Sequence, residues 1–202
     1  MPESTGAQPA QPKASVIIPN WNGLTLLRPC LDSLKVQTLT NHEVIVVDNG
    51  STDGSIDALK SEYPEVRVLA LSVNKGYSGG CNTGIRAARA DIVVVLNNDV
   101  EVDPGWLQAL VDALERHPEA GAAASRMMIH SQRDTLNSAG DLYRADGTPD
   151  SRGVWETYGP PYDREEMVFG ACGGAAAFRA DMLREIGDFE ECFFMYLSLI
   201  HI

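Results

Sequence analysis

The sequence predicts an α/β fold: a mostly parallel sheet with helices on both of its faces. Three observations carry that expectation. Short apolar runs rich in β-branched residues occur at 15–18, 43–47, 66–71 and 92–96. The segments between them place apolar residues at helical spacing. Strands that alternate with helices in this way require right-handed crossovers and hence parallel neighbours. The run at 92–96 is the most telling, because its five residues are all apolar instead of alternating, as in a strand buried on both faces.

Residues 1–13 are rich in Pro, Ala and Gln and have little to bury, so they read as a disordered leader with order beginning near Ala14. The first strand, 15–18, is stopped by Pro19, and Asn20, Trp21, Asn22 and Gly23 form a loop. Leu24, Leu27, Leu31 and Leu34 then predict a helix over 24–36. A second strand, 43–47, leads into Asp48-Asn49-Gly50-Ser51-Thr52-Asp53-Gly54-Ser55. Ile56, Leu59 and Tyr63 mark the following helix, with Ser51, Thr52 or Asp53 as its cap. After the third strand, 66–71, residues 74–84 (Asn74 to Gly84) read as a glycine-rich loop, and a helix around Ile85 leads to the fourth strand. Asp103 and Pro104 then predict a cap and first helical position for a helix whose buried face is Trp106, Leu107, Leu110, Val111 and Leu114. From about Ala120 the pattern loosens. Short apolar pieces at 122–124 and 175–178 flank a polar stretch, 130–166, which divides the chain into a ligand-binding portion, 14–125, and a more irregular region, 126–202.

The 202 residues suffice for one substantial core, and 44% apolar with 22% charged residues is ordinary for a soluble globular protein. A net charge of −12 argues against a nucleic-acid partner, which selects a basic face. An anionic small ligand needs a cation or helix N-termini to offset that field. Cys30, Cys81, Cys172 and Cys192 show no metal-ligand spacing and read as reduced, mostly buried thiols of a cytoplasmic protein. No run reaches the roughly 18–20 apolar residues of a membrane span, no signal-peptide core is present, and the Asn49-Gly50-Ser51 sequon reads as accidental.

Chemistry is expected where Asp48 and Asp99 each follow immediately on an apolar strand, since both then emerge at the carboxyl edge of one sheet, where open α/β folds bind ligands. Asn20 and the 48–55 and 74–84 segments join them there. Asn97, Asn98 and Asp99 also suit a plain polar turn, and the glycines plain tight loops. Together, however, they fit a nucleoside diphosphate, with backbone approaching the ligand at Gly76, Gly79, Gly80 and Gly84 and a divalent cation on Asp99. Neither the dinucleotide fingerprint nor the P-loop pattern occurs.

Four segments carry a family resemblance: Ser15-Val16-Ile17-Ile18-Pro19-Asn20-Trp21-Asn22-Gly23, the run from Val46 through Asp48-Asn49-Gly50-Ser51 to Ser55, the 74–84 segment, and Leu96-Asn97-Asn98-Asp99. In order and spacing they resemble family 2 glycosyltransferases of the Rossmann-like GT-A fold, most of all the rhamnosyltransferase-like members. The resemblance implies a cytoplasmic, inverting enzyme of cell-wall or polysaccharide biosynthesis. It would take a nucleotide-sugar donor and a saccharide or lipid-linked acceptor, the latter at the inner face of a membrane. By the same resemblance Pro19, Asn20, Asn22, Asp48 and Asn49 meet base and ribose, Ser51 joins them in binding the nucleotide sugar, and Asn74, Gly76, Gly79, Gly80 and Asn82 line the donor pocket. Asn98 and Asp99 stand in the Asp-x-Asp motif, with Asp99 meeting Mn²⁺ or Mg²⁺, although its first acidic position is here Asn97. The stretches 170–179 and 186–196 resemble the acceptor side, after which family members show a Glu-Asp base motif. This chain reads Leu197-Ser198-Leu199-Ile200-His201-Ile202 instead, so the acceptor-side region is expected to be incomplete. Glu190, Glu191 and His201 are poor substitutes, and no catalytic base is assigned. The alternative reading is a nucleotide-sugar binding fragment without turnover. A nucleotidyltransferase would need a basic glycine-rich loop where Pro19-Asn20-Trp21-Asn22 stands.

Overall fold

The computed structural model describes residues 11–194. In chain order its elements are β1 (Ala14–Asn20), α1 (Leu24–Lys35), β2 (His42–Asp48), α2 (Ser55–Glu62), β3 (Arg67–Ala70), α3 (Gly76–Ala87), β4 (Ile92–Leu96) and α4 (Trp106–Arg116). There follow β5 (Ala122–Ala124), β6 (Met127–Ile129), β7 (Gln132–Ser138), β8 (Asp141–Tyr143), β9 (Pro149–Ser151), β10 (Ala175–Arg179) and α5 (Ala180–Ile186). The main sheet has the order β3-β2-β1-β4-β10-β5, in which β10 runs antiparallel to both neighbours and the first four strands are parallel. The α/β expectation holds.

Helices cover both faces. On one, Leu27, Leu31 and Leu34 of α1, Leu59 of α2 and Leu107, Val111 and Leu114 of α4 pack on Val16, Ile18, Val94 and Leu96. On the other, Cys81 of α3, Leu183 of α5 and Phe189 pack on Ile17, Ile45, Val47, Val93, Val95 and Phe178. Burial on both sides is why β1 and β4 read as continuous apolar runs. All four cysteines are free; Cys30 and Cys81 are buried, Cys172 is half-buried and Cys192 exposed.

Several boundaries differ from the sequence expectation. Gln11 to Lys13 are tied down: Gln11 Nε2 donates to the Arg89 carbonyl at 3.1 Å, and the Lys13 N–H to the Asn41 carbonyl at 2.9 Å. Pro19 does not stop β1, which pairs with β2 as far as Asn20. Asn20 presents its backbone to β2, where its carbonyl accepts from the Asn49 N–H at 2.8 Å. By alternation Pro19 faces β4, with which pairing has already ended at Ile17, so its missing N–H costs no ladder bond. The helix α4 starts at Trp106, not Pro104, because its N-terminus is satisfied from afar. Gln37 Oε1 accepts the Leu107 N–H at 2.9 Å, while Gln37 Nε2 donates to the Asp103 carbonyl at 2.8 Å.

The largest correction concerns 74–84, which is helix from Gly76 onward. Glycine inside a helix costs about 1 kcal/mol relative to Ala, so propensity argues for a loop. Packing overrides it: a Cβ at Gly84 would collide with Cγ2 of Ile17, and one at Gly80 would lie 3.1 Å from Cβ of Pro19. The glycines let α3 lie close on β1. The irregular region after 125 contributes to the main sheet, where β10 lies between β4 and β5, and α5 and Phe189 complete one core face. Only β6–β7 and β8–β9 form small sheets of their own among the described residues.

Candidate functional site at the carboxyl edge of the sheet

Register places the site. Asn20 is opposite Asp48, and Ile17 opposite Val95; continuing that register three residues brings Asn98 level with Asn20. The two aspartates therefore emerge at one edge, on either side of β1. Asn98 Nδ2 donates to Asn20 Oδ1 at 2.8 Å, and Asn20 Nδ2 donates to the hydroxyls of Ser55 at 3.1 Å and Ser51 at 3.5 Å. A Cβ at Gly23 would strike Asn98 Nδ2, so the residue beside this amide pair must lack a side chain.

Asp48 is 0% exposed. Its Oδ1 accepts the Ser51 N–H at 2.9 Å, whereas Oδ2 is buried and has no hydrogen-bond partner. A buried carboxylate oxygen left unpaired costs stability, so a partner is expected to arrive with a ligand. Around it the loops are cross-tied. Ser51 Oγ accepts the Asn22 N–H at 2.9 Å, and Asn22 Oδ1, on a backbone with φ of 51°, accepts the Thr52 N–H at 2.7 Å. Asn49 Nδ2 donates to the Gly76 carbonyl at 3.1 Å, and Asn74 Oδ1 accepts the Gly76 N–H at 2.8 Å. Pro19, Asn20, Asn22, Asp48, Asn49, Ser51 and Asn98 thus gather at one edge, with Asn74 and Gly76 joined to them through Asn49.

Other expected donor residues are placed differently. Gly79 and Gly80 lie on α3 with helical backbone, so they are not a loop free to wrap a ligand. Asn82 is 1% exposed and fully committed: its Nδ2 donates to the Phe189 carbonyl at 2.8 Å and to Glu191 at 3.0 Å, and its Oδ1 accepts the Phe189 N–H at 2.9 Å. It tethers the 189–191 segment to α3 and has no polar atom left for a donor.

Three further residues of the 48–55 and 74–84 segments take part, of which the sequence singles out only Asp53, as a helix cap. Asp53 Oδ2 accepts the Leu24 N–H at 3.0 Å, and its Oδ1 accepts the Ser55 N–H and hydroxyl at 3.1 and 2.5 Å, so one carboxylate joins the starts of α1 and α2. Desolvation pushes its pKa up, but the Ser55 hydroxyl and the Leu24 and Ser55 N–H groups outweigh that and hold it below 3.8. Ser55 carries the amide of Asn20. Tyr77 donates its hydroxyl to the Gly173 carbonyl at 2.5 Å; burial, with Cys81 beside it, pushes the phenol pKa well up, so it stays a donor. An Asp two residues before a Ser, the pattern of an Asx turn, was the signal available for the first two.

Asp99 is exposed at the rim and, with Asn97, lines a cavity of about 1280 Å³ bounded by α4, β5, β6 and the 152–168 segment. Asn20, Asp48 and Asn49 do not line it. Among the described residues no three His, Cys, Asp or Glu side chains converge on a metal position. A lone carboxylate fits a Mg²⁺ or Mn²⁺ ion that takes its remaining ligands from phosphate oxygens and water. Of the acidic groups near the chain's far end, Glu191 is held by Asn82 and by Arg86 at 3.5 Å, and Glu190 accepts the Cys192 N–H at 3.1 Å. His201 lies outside the described residues.

Fold and edge together define an α/β protein of the glycosyltransferase A plan, with polar side chains gathered at its strand ends. The family model for glycosyl transferase family 2 matches residues 15–187, and the chain belongs to that family. It is 31% identical over 192 residues to N-acetylglucosaminyl-diphospho-decaprenol L-rhamnosyltransferase of Mycobacterium tuberculosis, a match covering 83% of this chain and 62% of that protein. It is 30% identical over 193 residues to the O-antigen biosynthesis protein RfbC of Myxococcus xanthus, covering 90% of this chain and 15% of that one. The chain thus spans less than two thirds of these relatives' length. Among solved structures it resembles S. aureus TarS 1-349 (TM-score 0.69, 19% identity, 94% of this chain and 53% of that one). The mannosyltransferase PcManGT of Pyrobaculum calidifontis, in complex with GDP-Man and Mn2+, shares the fold as well (TM-score 0.63, 22% identity, 95% and 51%).

Proposed function

We propose that the chain carries the donor site of an inverting glycosyltransferase, which moves a sugar from a nucleotide-diphosphate sugar to a saccharide or lipid-linked acceptor. The observation that carries this reading is the buried, unpartnered Oδ2 of Asp48, held level with Asn20 and Asn98 at the strand ends. A carboxylate oxygen in that state is an acceptor for a base N–H, and its burial gives such a bond its strength. The names of the relatives point the same way. The mycobacterial relative is a rhamnosyltransferase acting on a diphospho-decaprenol-linked N-acetylglucosamine, and TarS 1-349 has been solved in complex with UDP-GlcNAc.

In the reaction an acceptor hydroxyl oxygen attacks the anomeric carbon, the bond from that carbon to the diphosphate breaks, and the configuration inverts. The hydroxyl proton passes to a base on the acceptor side. Asn20, Asn98 and the cross-tied loops orient the nucleotide, and Asp48 selects its base. A divalent cation would be held on the protein side by Asp99 and would supply Lewis-acid stabilisation of the leaving diphosphate. A lipid-linked acceptor would bring this chemistry to a membrane surface, and no helix among the described residues is long and apolar enough to cross one.

Calorimetry with UDP, dTDP and GDP, with and without Mn²⁺ or Mg²⁺, tests the reading. Binding that depends on the cation, with the dependence abolished in Asp99→Ala, is expected. Absence of nucleotide binding with every cation would sink it.

A further inference from the structure

Residues 188–194 lie along α3 and run opposite to it, from its last turn back to its first. Three polar side chains of the helix hold them. Ser78, Asn82 and Arg86 are spaced i, i+4, i+8 and so share one helix face. Arg86 meets Asp188 at 2.8 Å and Glu191 at 3.5 Å. Asn82 carries the N–H and the carbonyl of Phe189 on its two amide atoms, and Ser78 donates its hydroxyl to the Phe193 carbonyl at 2.9 Å. The ladder ends where the helix begins. There the Tyr77 N–H donates to the Phe194 carbonyl at 2.8 Å, and a Cβ at Gly76 would collide with that carbonyl and with the Phe194 ring.

Gly76 is thereby held by two partners remote in sequence. Phe194 packs on it, and its carbonyl accepts from Asn49 Nδ2 at 3.1 Å. The same Asn49 side chain accepts the Lys75 N–H through Oδ1 at 3.4 Å, and the Asn49 N–H donates to the Asn20 carbonyl at 2.8 Å. An unbroken chain of contacts thus links Asp188 to the residue beside Asp48. Phe194 is 51% exposed and buries too little surface to hold its place unaided, so its position on Gly76 depends on the polar ladder behind it.

We propose that Ser78, Asn82 and Arg86 are positioning residues of the donor site: they seat residues 188–194 so that Phe194 braces Gly76, and with it the Asn49 side chain next to Asp48. Seating of the segment and binding of the nucleotide are then coupled, and each tightens the other. The assignment rests on the donor reading above and gives the acceptor-side stretch a part in donor affinity.

Two double variants of the full chain test it. Ser78→Ala/Arg86→Gln and Ser78→Ala/Asp188→Asn both loosen the two ends of the segment while Asn82 keeps its middle, and they change the net charge in opposite directions. Exposed ion pairs add little stability, so both variants are expected to melt close to the parent. In hydrogen exchange followed by NMR without ligand, the Gly76 N–H and the Asn49 side-chain amide are expected to exchange faster in both. Calorimetry with UDP, dTDP and GDP, each with Mn²⁺, is expected to show binding weakened about fivefold or more in both, the low end of ordinary coupling between sites. In the parent, nucleotide is expected to slow exchange of the Tyr77 and Phe189 N–H groups, which a segment of purely structural value would not show. Affinity within about twofold of the parent in either variant, including a loss confined to the one that removes a cation, would overturn the proposal, as would Tyr77 and Phe189 exchange that ignores bound nucleotide. Absence of nucleotide binding in the parent would strike the donor reading, and ligand-free exchange would still decide the brace: faster at Gly76 in the variants supports it, unchanged refutes it.

Discussion

Asp48 shows how one atom separates stability from function. Its Oδ1 is satisfied by Ser51, but Oδ2 is buried without a partner, an arrangement that penalises the unliganded fold. Asp48→Asn keeps the shape and the Ser51 bond while removing the charge. The variant is expected to melt at the same temperature as the parent or higher, and to lose more than about tenfold in nucleotide affinity. Thermal melts paired with calorimetry check both halves, and a variant that is destabilised yet binds normally would refute the assignment. Glu43 is the opposite case, a buried carboxylate with every need met at the far end of the sheet. Burial by itself raises its pKa, but the hydroxyl of Ser15 and the side chain and N–H of Arg89 outweigh that and hold it below its ordinary 4.5. A carboxyl with a lower pKa folded than unfolded adds stability above 4.5 and gives it up as pH falls through the folded value. Melting temperatures taken from about pH 7 to about pH 3 should therefore fall steeply below the ordinary carboxylate range. In Glu43→Gln the neutral-pH value should be lower and the acid limb shallower.

Elements show where sequence patterns carry information and where they do not. The strands β1, β2 and β4 are legible because burial on both faces imposes an unbroken apolar run, and Asp48 and Asp99 are legible as rim residues because they end such runs. The helix α3 is not, because its glycines argue for a loop when judged one residue at a time. What selects the helix is distance to a neighbour remote in sequence, Ile17, which no local pattern contains. The same reason hides Asn82 and Gln37, whose partners are 107 and 66 to 70 residues away. A substitution that obeys local propensity should therefore fail here. Gly84→Ala gains up to about 1 kcal/mol in helix propensity but forces a Cβ into fully buried Ile17, an overpacking that costs about 1–3 kcal/mol. Urea unfolding is expected to show net destabilisation. In Gly84→Ala combined with Ile17→Val, which opens room at the contact, part of the loss should return.

At the scale of the molecule, the division at residue 125 drawn from the sequence follows a change in composition, and the fold ties its two sides together. Regular alternation of strand and helix ends near Ala120, and the remainder of the chain is polar enough to look like an appendage. Yet β10 pairs antiparallel with β4 over Ala175 to Arg179 and with β5 over Ala176 to Phe178. Phe178 packs edge-on against Phe189 at 5.8 Å, and Tyr77 and Asn97 bond the carbonyls of Gly173 and Gly174. Three alanines, Ala175 to Ala177, are too bland to advertise a central strand, which is why the sequence does not reveal one. The proposed donor edge therefore rests on a core face and a sheet that residues late in the chain complete. A chain ending at Ser125 would leave β4 with a bare edge, strand β5 without its partner, and the face formed by Ile17, Val93 and Val95 short of Phe178, Leu183 and Phe189. Unpaired strand edges and exposed apolar faces of that kind favour aggregation over folding. Residues 11–125 alone are thus expected to be insoluble or to lack a cooperative melt, and to bind no nucleotide, whereas residues 11–194 should melt in one transition. Calorimetric melts of the two chains, with near-ultraviolet circular dichroism, decide between them. A cooperative, nucleotide-binding 11–125 would show that the donor half stands alone and that β10 merely decorates it.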